Sequence, residues 1–469
     1  MNQHDPARTY RAAVIGAGSG GLTVAIGLTG FGHEVALIES GPVGGDCTNV
    51  GCIPSKALLH AAAAGHTDPF GTVRAKRDGL RDREDAEMVD HEMIHLVRGR
   101  GRLTSRKGPH VVEVTGPDGS TVEVVAENVV VCAGSRPVDF GIDGLDDEHL
   151  LTNESLFELE EVPSKVVLVG GGAISLEMAT AFRDLGSAVE IVEMQDRLIA
   201  TEDPLVSSTI EAVLRERGVV VHTGTTIHRF DSTTAHLANG ATIDDVDKVL
   251  LAVGRRPRLD DLGLDAAGVT VTKTGITADS FGRTNVDGIY AVGDVTGDTA
   301  TTHGANSIAR RTIRAIALPK LPKIGGARAH PNAVFSRPQI ASVGMSVDEV
   351  DALPSIGRRR YVVQIADLDR AYTDDVAHGI AIVDAERFTG KILRAAIVAP
   401  TAAEIIGMFT LAIDHGIGLR KIFATVHPYP TYALLVGTVA DEFASDTFST
   451  LPQEWWAMAR GRVARRLKR

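Results

Sequence analysis

Short runs of mostly apolar residues recur along the chain in a pattern that predicts parallel β-strands. Residues 12–15 and 34–39 form two such runs, and a glycine-rich turn and a helix-like segment, residues 22–28, lie between them. Unbroken apolar runs are typical of strands buried on both faces of a parallel sheet. A second strand–turn–helix–strand pattern of this kind occupies residues 166–193. The pattern therefore predicts an α/β fold with two Rossmann-like units.

The turn of the first unit carries the glycines that dinucleotide binding requires. Gly16 permits a tight turn, Gly18 lets the backbone approach a pyrophosphate, and Gly21 allows close packing of helix and strand. Glu39 ends the second strand, where a carboxylate accepts hydrogen bonds from ribose hydroxyls. A G-x-G-x-x-G turn alone is weak support, but here both strands and the terminal acid accompany it. We expect this unit to bind a dinucleotide.

The second unit repeats this arrangement with one change. Gly170 and Gly172 take the positions of the first two glycines, and Ser175, which is still small, stands in place of the third. Glu193 at the end of the second strand would accept a hydrogen bond from a free 2′-hydroxyl and repel a 2′-phosphate. The sequence therefore favours NADH over NADPH, and Arg197 is the nearby cation that would oppose this preference.

Composition and charge exclude several classes of function. With 469 residues, 44% hydrophobic and 23% charged, the chain is long enough for two or three globular domains. The formal net charge of -12 repels phosphate backbones, and aromatic residues make up only 4%. Binding of nucleic acid is therefore not expected. The basic segment 460–469 is explained more simply as a solvated terminal helix.

The cellular location is predicted from the cysteines and from the hydropathy pattern. Three cysteines in a chain of this length cannot form a disulfide framework, which favours a reducing compartment such as the cytoplasm. Residues 1–10 are polar, and no apolar run is long enough to cross a bilayer. We expect a cytoplasmic protein that is neither exported nor membrane-spanning.

Cys47 and Cys52 form the most informative local pattern. They lie five residues apart directly after the first dinucleotide unit, and a disulfide between them would close a small, strained and reducible ring. If a helix continues from Cys52 through Lys56, its N-terminus and the lysine ammonium favour the reactive thiolate. A C-x4-C pattern alone also fits a structural disulfide or half of a zinc site.

The two nucleotide units together with the cysteine pair resemble the pyridine nucleotide-disulfide oxidoreductases, the family of dihydrolipoamide dehydrogenase, glutathione reductase and mercuric reductase. The resemblance runs almost from end to end. The matching motifs are GGDCTNVGCIPSK at 44–56, VVVCAGSRP at 129–137, LLAVGRRP at 250–257 and TNVDGIYAVGDV at 284–295. It implies FAD in the first unit, NAD(P)H in the second, and electron flow from nicotinamide to flavin to disulfide.

The resemblance also implies individual roles. Cys47 corresponds to the thiol that attacks substrate and Cys52 to the thiol that lies against the flavin. Lys56 and Glu177 correspond to a lysine–glutamate pair that steadies negative charge on the reduced ring. The remaining implied cofactor residues are Gly134 and Gly254 in the two strand-end turns, Asp294 on the ribityl chain and Ala305 near the isoalloxazine. Cys132 is expected to be a buried small hydrophobe, and no resident metal site is expected.

The implied fold is two Rossmann-like domains followed by an α+β dimerisation domain. Residues 1–148 and 284–328 would form the FAD domain, 149–283 the NAD(P) domain, and 329–469 the dimerisation domain. A homodimer is implied, in which the partner chain completes each active site. The charged stretch 66–108 is shorter than in most relatives and is expected to be solvated surface.

The sequence departs from the family pattern where the substrate is chosen. Family members that exchange dithiols and disulfides carry a histidine before Pro-Thr and a glutamate shortly after, whereas Tyr429 and Leu434 occupy these positions here. A phenol with an ordinary pKa of about 10 is a poor base near neutrality. Tyr429 is more similar to the tyrosine of mercuric reductase, although no cysteine follows Cys132 to relay a metal. His427, two positions earlier, is either a displaced base or a loop residue.

These observations predict a flavin- and NAD(P)H-dependent reductase that is mercuric reductase-like at its C-terminal end. The acceptor would be a metal ion, a small disulfide or a quinone. Dihydrolipoamide dehydrogenase is the alternative enzyme, and a flavin-bound sensor with little turnover is the alternative of another class. The redox motif with Cys47, Cys52, Lys56 and Glu177 intact argues against the sensor.

Overall fold

The computed structural model describes residues 8–104, 109–138, 140–297, 301–320 and 329–449. The described strands, in chain order, are β1 (Thr9–Ile15), β2 (Val35–Glu39), β3 (Ile94–Arg98), β4 (Arg100–Leu103), β5 (His110–Thr115), β6 (Thr121–Val131), β7 (Ser135–Pro137), β8 (Leu150–Leu151), β9 (Lys165–Val169), β10 (Ala188–Val192), β11 (Val220–His222), β12 (Ile227–Asp231), β13 (Thr234–Leu237), β14 (Thr242–Ile243), β15 (Lys248–Leu251), β16 (Arg255–Pro257), β17 (Ile289–Ala291), β18 (Asn332–Val334), β19 (Gln339–Gly344), β20 (Arg358–Gln364), β21 (Ile380–Glu386) and β22 (Ile392–Ala399).

The described α-helices are α1 (Ser19–Thr29), α2 (Gly45–Asn49), α3 (Cys52–Ala63), α4 (Pro69–Asp90), α5 (Ala173–Asp184), α6 (Pro204–Glu216), α7 (Leu264–Ala267), α8 (Thr302–Ala317), α9 (Val347–Asp351), α10 (Asp369–Thr373), α11 (Ala402–Asp414) and α12 (Leu419–Phe423), and residues 435–449 are also helical. Short 3₁₀ helices span Leu156–Glu158, Asp294–Thr296, Ser355–Gly357, Ile365–Asp367 and Tyr432–Leu434.

The chain divides into two compact units. The first consists of Met1–Gly170, Asp184–Ser187 and Ile227–Gly326, and the second of Gly171–Arg183, Ala188–Thr226 and Ala327–Arg469. The three-domain division that the sequence suggested stays a prediction.

The main sheet of the first unit contains the predicted first βαβ element. Its strand order is β3-β2-β1-β6-β5-β4, with β17 also paired to β6, and β1 runs parallel to β2, β6 runs parallel to β1, and β17 parallel to β6. Successive residues of β1 point into different clusters, since Ala13 and Ile15 belong to one buried core and Ala12 and Val14 to another. The continuous apolar run thus results from burial of both faces, as the sequence predicted.

Helix α1 packs on this sheet beside α8. A Cβ atom on Gly27 would lie 2.3 Å from the side chain of Ile313. The two helices can therefore pack this closely only because residue 27 has no side chain. Smaller parts of the unit are the parallel group β9, β15 and β8, the antiparallel group β12, β13 and β14, and the ribbon of β16 and β7.

The charged stretch 66–108 forms the long helix α4 and the strands β3 and β4. One face of α4 is buried through Phe70 and Val73. Arg77 is also buried, and its guanidinium pairs with Asp78 and Glu158. Much of the other face is exposed.

The second unit is built on an antiparallel sheet. Its order is β18-β19-β22-β21-β20, and α11 and the helix at 435–449 supply Phe409 and Phe443 to the core beside it. The parallel pair β10 and β11 and the helix α6 also belong to this unit. Parallel Rossmann-like pairing together with a C-terminal sheet covered by helices confirms the predicted fold class. In the described part of the chain, no helix is both long and apolar enough to cross a membrane.

Helix α6 offers a matched test of the core of the second unit. Leu214 is completely buried, whereas Leu205 on the same helix is 45% exposed. Leu214→Ala should lower the free energy of unfolding by about 2–5 kcal/mol, because it removes buried methyl groups and leaves a cavity. Leu205→Ala, the control, should change it by less than about 1 kcal/mol. Urea denaturation of both variants measures the difference, and equal losses would contradict this assignment of the helix face.

Candidate active site

The first glycine turn is packed so closely that side chains cannot enter it. Gly16 follows β1 with a φ of +104°, and a Cβ atom there would lie 2.3 Å from the Cys132 carbonyl oxygen. A Cβ atom on Gly21 would lie 1.9 Å from the Gly16 carbonyl oxygen. Gly18 faces Gly45, where an added Cβ would lie 2.7 Å from the Gly18 Cα. The turn therefore presents bare backbone beside the N-terminus of α1, as a pyrophosphate requires.

Glu39 lies at the carboxyl end of β2 and holds this turn. Its Oε2 accepts a hydrogen bond from the Ala17 amide at 2.6 Å, and its Oε1 accepts one from the Gly41 amide at 2.7 Å. Each carboxylate oxygen keeps a further lone pair that can accept a hydroxyl proton. The bare turn and this carboxylate fit the adenosine ribose and pyrophosphate of a dinucleotide such as FAD.

The second glycine turn has the same construction. Gly170 has a φ of +102°, and a Cβ atom on it would lie 2.6 Å from the Ala252 carbonyl oxygen. In the second unit, the Glu193 carboxylate accepts hydrogen bonds from the Gly171 amide and, at 2.6 Å, from the Gln195 amide. A Cβ atom on Gly172 would meet open space, so this residue leaves room for a ligand. Ser175 is completely buried, in agreement with a small residue at the third position.

Gly134 and Gly254 each lie three residues after the end of a strand, β6 or β15, and directly before the two strands of a shared ribbon. Both have a positive φ, +70° and +115°, and nothing stands within 4 Å of a Cβ atom built on either. The residues after them form β7 and β16, which pair with Ser135 opposite Pro257. The two turn motifs that the sequence recognised separately therefore meet in space.

Asp294 begins a 3₁₀ helix after β17 and takes part in a chain of polar contacts. Its Oδ2 accepts a hydrogen bond from the Ser135 hydroxyl at 2.6 Å. The Ser135 hydroxyl in turn accepts one from the Arg255 guanidinium at 2.8 Å, and the same guanidinium donates to the carboxylate of Asp46. Asp46 directly precedes Cys47 in the chain. The structure thus connects the residue expected at the ribityl chain with the redox motif.

Sequence reasoning missed Asp46, Ser135 and Arg255 as members of one group. Each lies inside a motif that was recognised, but their contacts span 209 and 120 positions of the chain. Burial raises the pKa of the Asp46 carboxyl, and the charges of Arg255 and Arg258 act in the opposite direction. A carboxylate beside a thiol is thus balanced by a guanidinium.

The two cysteines lie at a break between two helices. Cys47 is inside the five-residue helix α2, and Cys52 is the first residue of α3. Gly51 stands between them, and a Cβ atom on it would lie 2.8 Å from the Asp46 carbonyl oxygen. The expected helix N-terminus is therefore found at Cys52, and the backbone at Gly51 is tight enough to require glycine.

Both residues are present as thiols in the structure, and they interact with each other. The pKa of the Cys47 thiol is raised, first by its hydrogen bond with Cys52 and then by burial, whereas Thr302 and the charge of Lys56 act to lower it. The Cys52 sulfur lies 3.5 Å from the Thr302 hydroxyl oxygen. This arrangement is a closely paired dithiol, and loss of its first proton depends on nearby donors and cations.

Cys132 behaves differently from the pair. It is buried at the end of the first sheet, and burial raises its pKa to about 12. A thiol that stays protonated and inaccessible is inert. The expectation of a small buried hydrophobe agrees with this position.

Ala305 lies in the first turn of α8, close to the first glycine turn. It is buried, and its Cβ lies 3.7 Å from a Cβ atom built on Gly20 and 3.4 Å from one built on Gly293. The structure therefore brings together the first glycine turn, the segment before Asp294 and the start of α8.

Glu177 lies on α5 in the second unit. It is buried, and its Oε1 accepts a hydrogen bond from the Phe335 amide at 3.0 Å. Lys56 lies on α3 of the first unit, where its ammonium donates to the Ser55 hydroxyl at 3.3 Å. The pairing of Lys56 with Glu177 stays a prediction.

Tyr429 stands on the surface of the second unit and has a partner that the sequence did not suggest. Its side chain is 68% exposed, and its hydroxyl donates to the Asp369 carboxylate at 2.5 Å. This hydrogen bond is the main reason why the pKa of Tyr429 is raised. Asp369 lies 60 positions earlier, at the start of α10, and no local motif marks it.

His427 and Leu434 lie on either side of this tyrosine in the chain. His427 is half-buried against Gly437, and its Nε2 has no hydrogen-bond partner among the described residues. Leu434 ends a 3₁₀ helix and is half-buried. At the position of the family's histidine, this chain has the phenol of Tyr429. The carboxylate that contacts it comes from Asp369 of α10.

Comparison with known proteins adds family context to this geometry. Residues 10–310 match the pyridine nucleotide-disulphide oxidoreductase family model, and residues 330–439 match the dimerisation domain of the same family. A mercuric reductase from Streptomyces lividans is 33% identical, over 93% of this chain and 97% of that protein. Dihydrolipoyl dehydrogenase 3 from Haloarcula marismortui is 32% identical, over 89% of this chain and 93% of that protein.

A solved structure agrees with these matches. The Cu(II) complex of the HOCl-induced flavoprotein disulfide reductase RclA from Escherichia coli superposes with a TM-score of 0.84 at 25% identity. The superposition covers 92% of this chain and 99% of that chain.

The thiol environment generates a prediction about Lys56. Lys56→Met removes the cation that lowers the pKa of Cys47, so the reduced protein should form less thiolate at a given pH. We expect alkylation by iodoacetamide at neutral pH to slow by roughly three- to tenfold. Lys76→Met, on the exposed face of α4, is the control and should leave the rate unchanged. An unchanged rate in Lys56→Met would contradict this electrostatic role.

Proposed function

The chain belongs to the pyridine nucleotide-disulphide oxidoreductase family, and from this premise we propose that it reduces a thiophilic acceptor, in the first place a soft metal ion. It is an FAD-dependent enzyme that uses a nicotinamide nucleotide. The observation that carries the choice of acceptor is the pairing of Tyr429 with Asp369 at the position where dithiol exchange would need a base.

Bound FAD supplies the two-electron step that takes hydride from the nicotinamide and passes the electron pair to a disulfide. Gly16, Gly18, Gly21 and Glu39 would hold its adenosine and pyrophosphate, and Asp294 its ribityl chain. Gly134, Gly254 and Ala305 would line the same site. Lys56 and Glu177 would steady negative charge beside the ring. With the hydride and a proton, a Cys47–Cys52 disulfide gives the two thiols that the structure contains.

The dithiol suits a soft cation better than an organic disulfide. Thiolate sulfur is a preferred ligand of soft metals, and binding such an ion displaces the thiol protons without a separate base. Cys47 and Cys52 would hold the ion as thiolates, with release of two protons. Transfer of the dithiolate's electron pair, to one ion or divided between two, would re-form the Cys47–Cys52 disulfide and release the metal in a lower oxidation state. No group of three or more His, Cys, Asp or Glu residues suited to a resident metal occurs among the described residues. The ion is therefore assigned as substrate.

Tyr429 fits this chemistry and not proton abstraction from a thiol. The Asp369 carboxylate raises the pKa of the phenol, so at neutral pH the group is a hydrogen-bond donor. The Streptomyces mercuric reductase and the Cu(II) complex of RclA are relatives whose names include a soft or borderline metal. Their likeness supports a metal ion ahead of a small disulfide or a quinone.

NADH is the proposed reductant. Glu193 keeps its carboxylate at the second glycine turn, where it would receive a 2′-hydroxyl and repel a 2′-phosphate. Arg197, the cation that would favour NADPH, donates to the Ala200 carbonyl at 2.7 Å and pairs with Asp196 at 3.3 Å. Its guanidinium is therefore already engaged within the loop.

The proposed assembly is a homodimer through residues 329–469, with residues 1–148 and 284–328 as the FAD domain and 149–283 as the NADH domain. The match of residues 330–439 to the family's dimerisation domain supports this assembly. Leu411, Phe423 and Val426 are 58%, 50% and 94% exposed in the single chain, as residues covered by a second copy would be. In such a dimer Tyr429 would complete the partner's dithiol site.

Dihydrolipoyl dehydrogenase is the second candidate. The observation that favours it is the unsatisfied Nε2 of His427, since a half-buried imidazole without a partner is available to act as a base. The names of several relatives at 31–32% identity agree with this activity. His427→Ala separates the candidates, because it should abolish dihydrolipoamide oxidation but leave metal-ion reduction intact.

The role of Cys52 is tested by absorption spectroscopy. Anaerobic reduction of the FAD enzyme with one equivalent of NADH should produce a long-wavelength band from a thiolate in contact with the flavin. Cys52→Ser should lose the band, because it removes the sulfur assigned next to the ring. Cys47→Ser cannot form the disulfide, so its Cys52 thiol should give the band in the oxidised enzyme before any NADH is added. Absence of the band from the wild-type enzyme would contradict the proposed electron path.

The acceptor is tested with a panel that contains mercuric ion, cupric ion, lipoamide, oxidised glutathione and quinones, each with NADH and with NADPH. We expect the highest kcat/KM with a metal ion and NADH. Tyr429→Phe keeps the ring but removes the hydroxyl that contacts Asp369, and it should lower kcat/KM for the metal by about tenfold, the loss of roughly one hydrogen bond to a charged group. Tyr372→Phe, another exposed tyrosine, is the control. Faster turnover of lipoamide than of any metal would overturn the proposal.

A further inference from the structure

The loop that follows Glu193 closes onto the second glycine turn. The Ile199 amide donates a hydrogen bond to the Gly171 carbonyl at 2.9 Å, and Leu198 is completely buried. A Cβ atom on Gly171 would lie 2.8 Å from the Leu198 side chain and 2.9 Å from the Glu193 carboxylate. The position of this loop therefore affects the distance and orientation between the Glu193 carboxylate and the glycine turn.

The loop is held in an unfavourable backbone conformation. Ile199 has a φ of +45°, in the left-handed region that a β-branched residue rarely adopts. Such a residue stays there only when its surroundings fix it. The Ile199 carbonyl accepts a hydrogen bond from the Glu202 amide at 2.8 Å, which connects the strained residue directly to Glu202.

Glu202 is anchored to the antiparallel sheet of the same unit. Its Oε1 accepts a hydrogen bond from the Ser342 hydroxyl at 2.6 Å, and its Oε2 pairs with the Arg394 guanidinium. Only 10% of the Glu202 side chain and 5% of the Arg394 side chain are exposed. Charges buried to this extent are tolerated only in a fixed geometry.

Asp203 forms an ion pair with an arginine on β20, at the edge of the same sheet. Its carboxylate lies 2.9 Å from the Arg360 guanidinium, which also makes two contacts of 2.9 Å and 3.1 Å with Asp384. Asp384 is completely buried and stands opposite Arg394 in the pairing of β21 with β22. We call the cluster of Glu202, Asp203, Arg360, Asp384 and Arg394 the ionic clasp.

We propose that the ionic clasp positions the loop 194–203 so that Glu193 and Gly171 meet the adenosine ribose, and that it thereby sets the affinity for NADH and its preference over NADPH. The inference rests on the proposed NADH site at Glu193. Glu202 and Arg394 are positioning residues, since they act through the loop. Sheet strands are stiff supports, so an ion pair that attaches the loop to β22 limits its movement more than a surface contact does.

The test measures binding of NAD⁺ and NADP⁺ to the full-length, FAD-loaded enzyme by calorimetry, without turnover. Arg394→Met should raise the Kd for NAD⁺ by about fivefold or more and that for NADP⁺ by less, because the loop no longer holds the carboxylate in place. Ser342→Ala removes one hydrogen bond but keeps the ion pair, so it should fold normally and raise the Kd for NAD⁺ by about two- to fivefold. Lys391→Met, which breaks an exposed contact with Glu386 of β21, is the control and should leave both values unchanged.

A double variant separates positioning from stability. Arg394→Met alone leaves the Glu202 carboxylate buried without its partner, whereas Glu202→Leu combined with Arg394→Met replaces the pair by apolar groups and should restore the melting temperature. If the clasp positions the loop, the double variant regains stability but not the wild-type Kd for NAD⁺. Hydrogen exchange of residues 194–203 should remain faster than in the wild type.

The inference is overturned if Arg394→Met and Ser342→Ala bind NAD⁺ as the wild type does, or if the double variant recovers both stability and affinity. Glu193→Gln tests the underlying NADH site separately. If it discriminates between NAD⁺ and NADP⁺ as well as the wild type, the nucleotide assignment at Glu193 fails, whatever the clasp variants show.

Discussion

Both glycine turns depend on one interaction. In each, a carboxylate at the end of a parallel strand accepts hydrogen bonds from backbone amides. Glu39 holds the first turn through Ala17, and Glu193 holds the second through Gly171. The same carboxylates would accept hydrogen bonds from ribose hydroxyls. A single side chain in each turn would therefore both hold the turn and recognise the ligand. Binding and local folding are therefore inseparable at each turn.

In the proposed redox centre, nearby cations offset the effect of burial on the ionisable groups. Asp46, Arg255, Ser135 and Asp294 form one polar chain from the residue before Cys47 to the residue assigned to the flavin. Burial opposes ionisation of both Asp46 and Cys47, whereas Arg255 and Lys56 favour the charged forms. Small changes in these cations would consequently shift thiol chemistry more than changes elsewhere on the surface.

The second unit shows how a family scaffold takes different chemistry at one position. A phenol hydrogen-bonded to Asp369 donates, whereas an imidazole with a carboxylate partner accepts protons. Under the proposed function, this single position would change the acceptors that the dithiol is suited to serve. In the ionic clasp, buried charges on the antiparallel sheet contact the loop that we propose positions the nucleotide.

Much of this protein was determined by its sequence alone, because the features concerned are local. Glycine spacing, apolar strands and the terminal acids Glu39 and Glu193 predicted the parallel sheets and both turns, since backbone sterics and hydrogen bonding act over a few residues. The cysteine spacing and the matched motifs predict a redox centre in the same way. Tertiary structure decided the contacts between Asp46 and Arg255, Tyr429 and Asp369, and Glu202 and Arg394. These partners are 209, 60 and 192 positions apart, and no local rule relates such distant residues because only chain folding brings them within hydrogen-bond range.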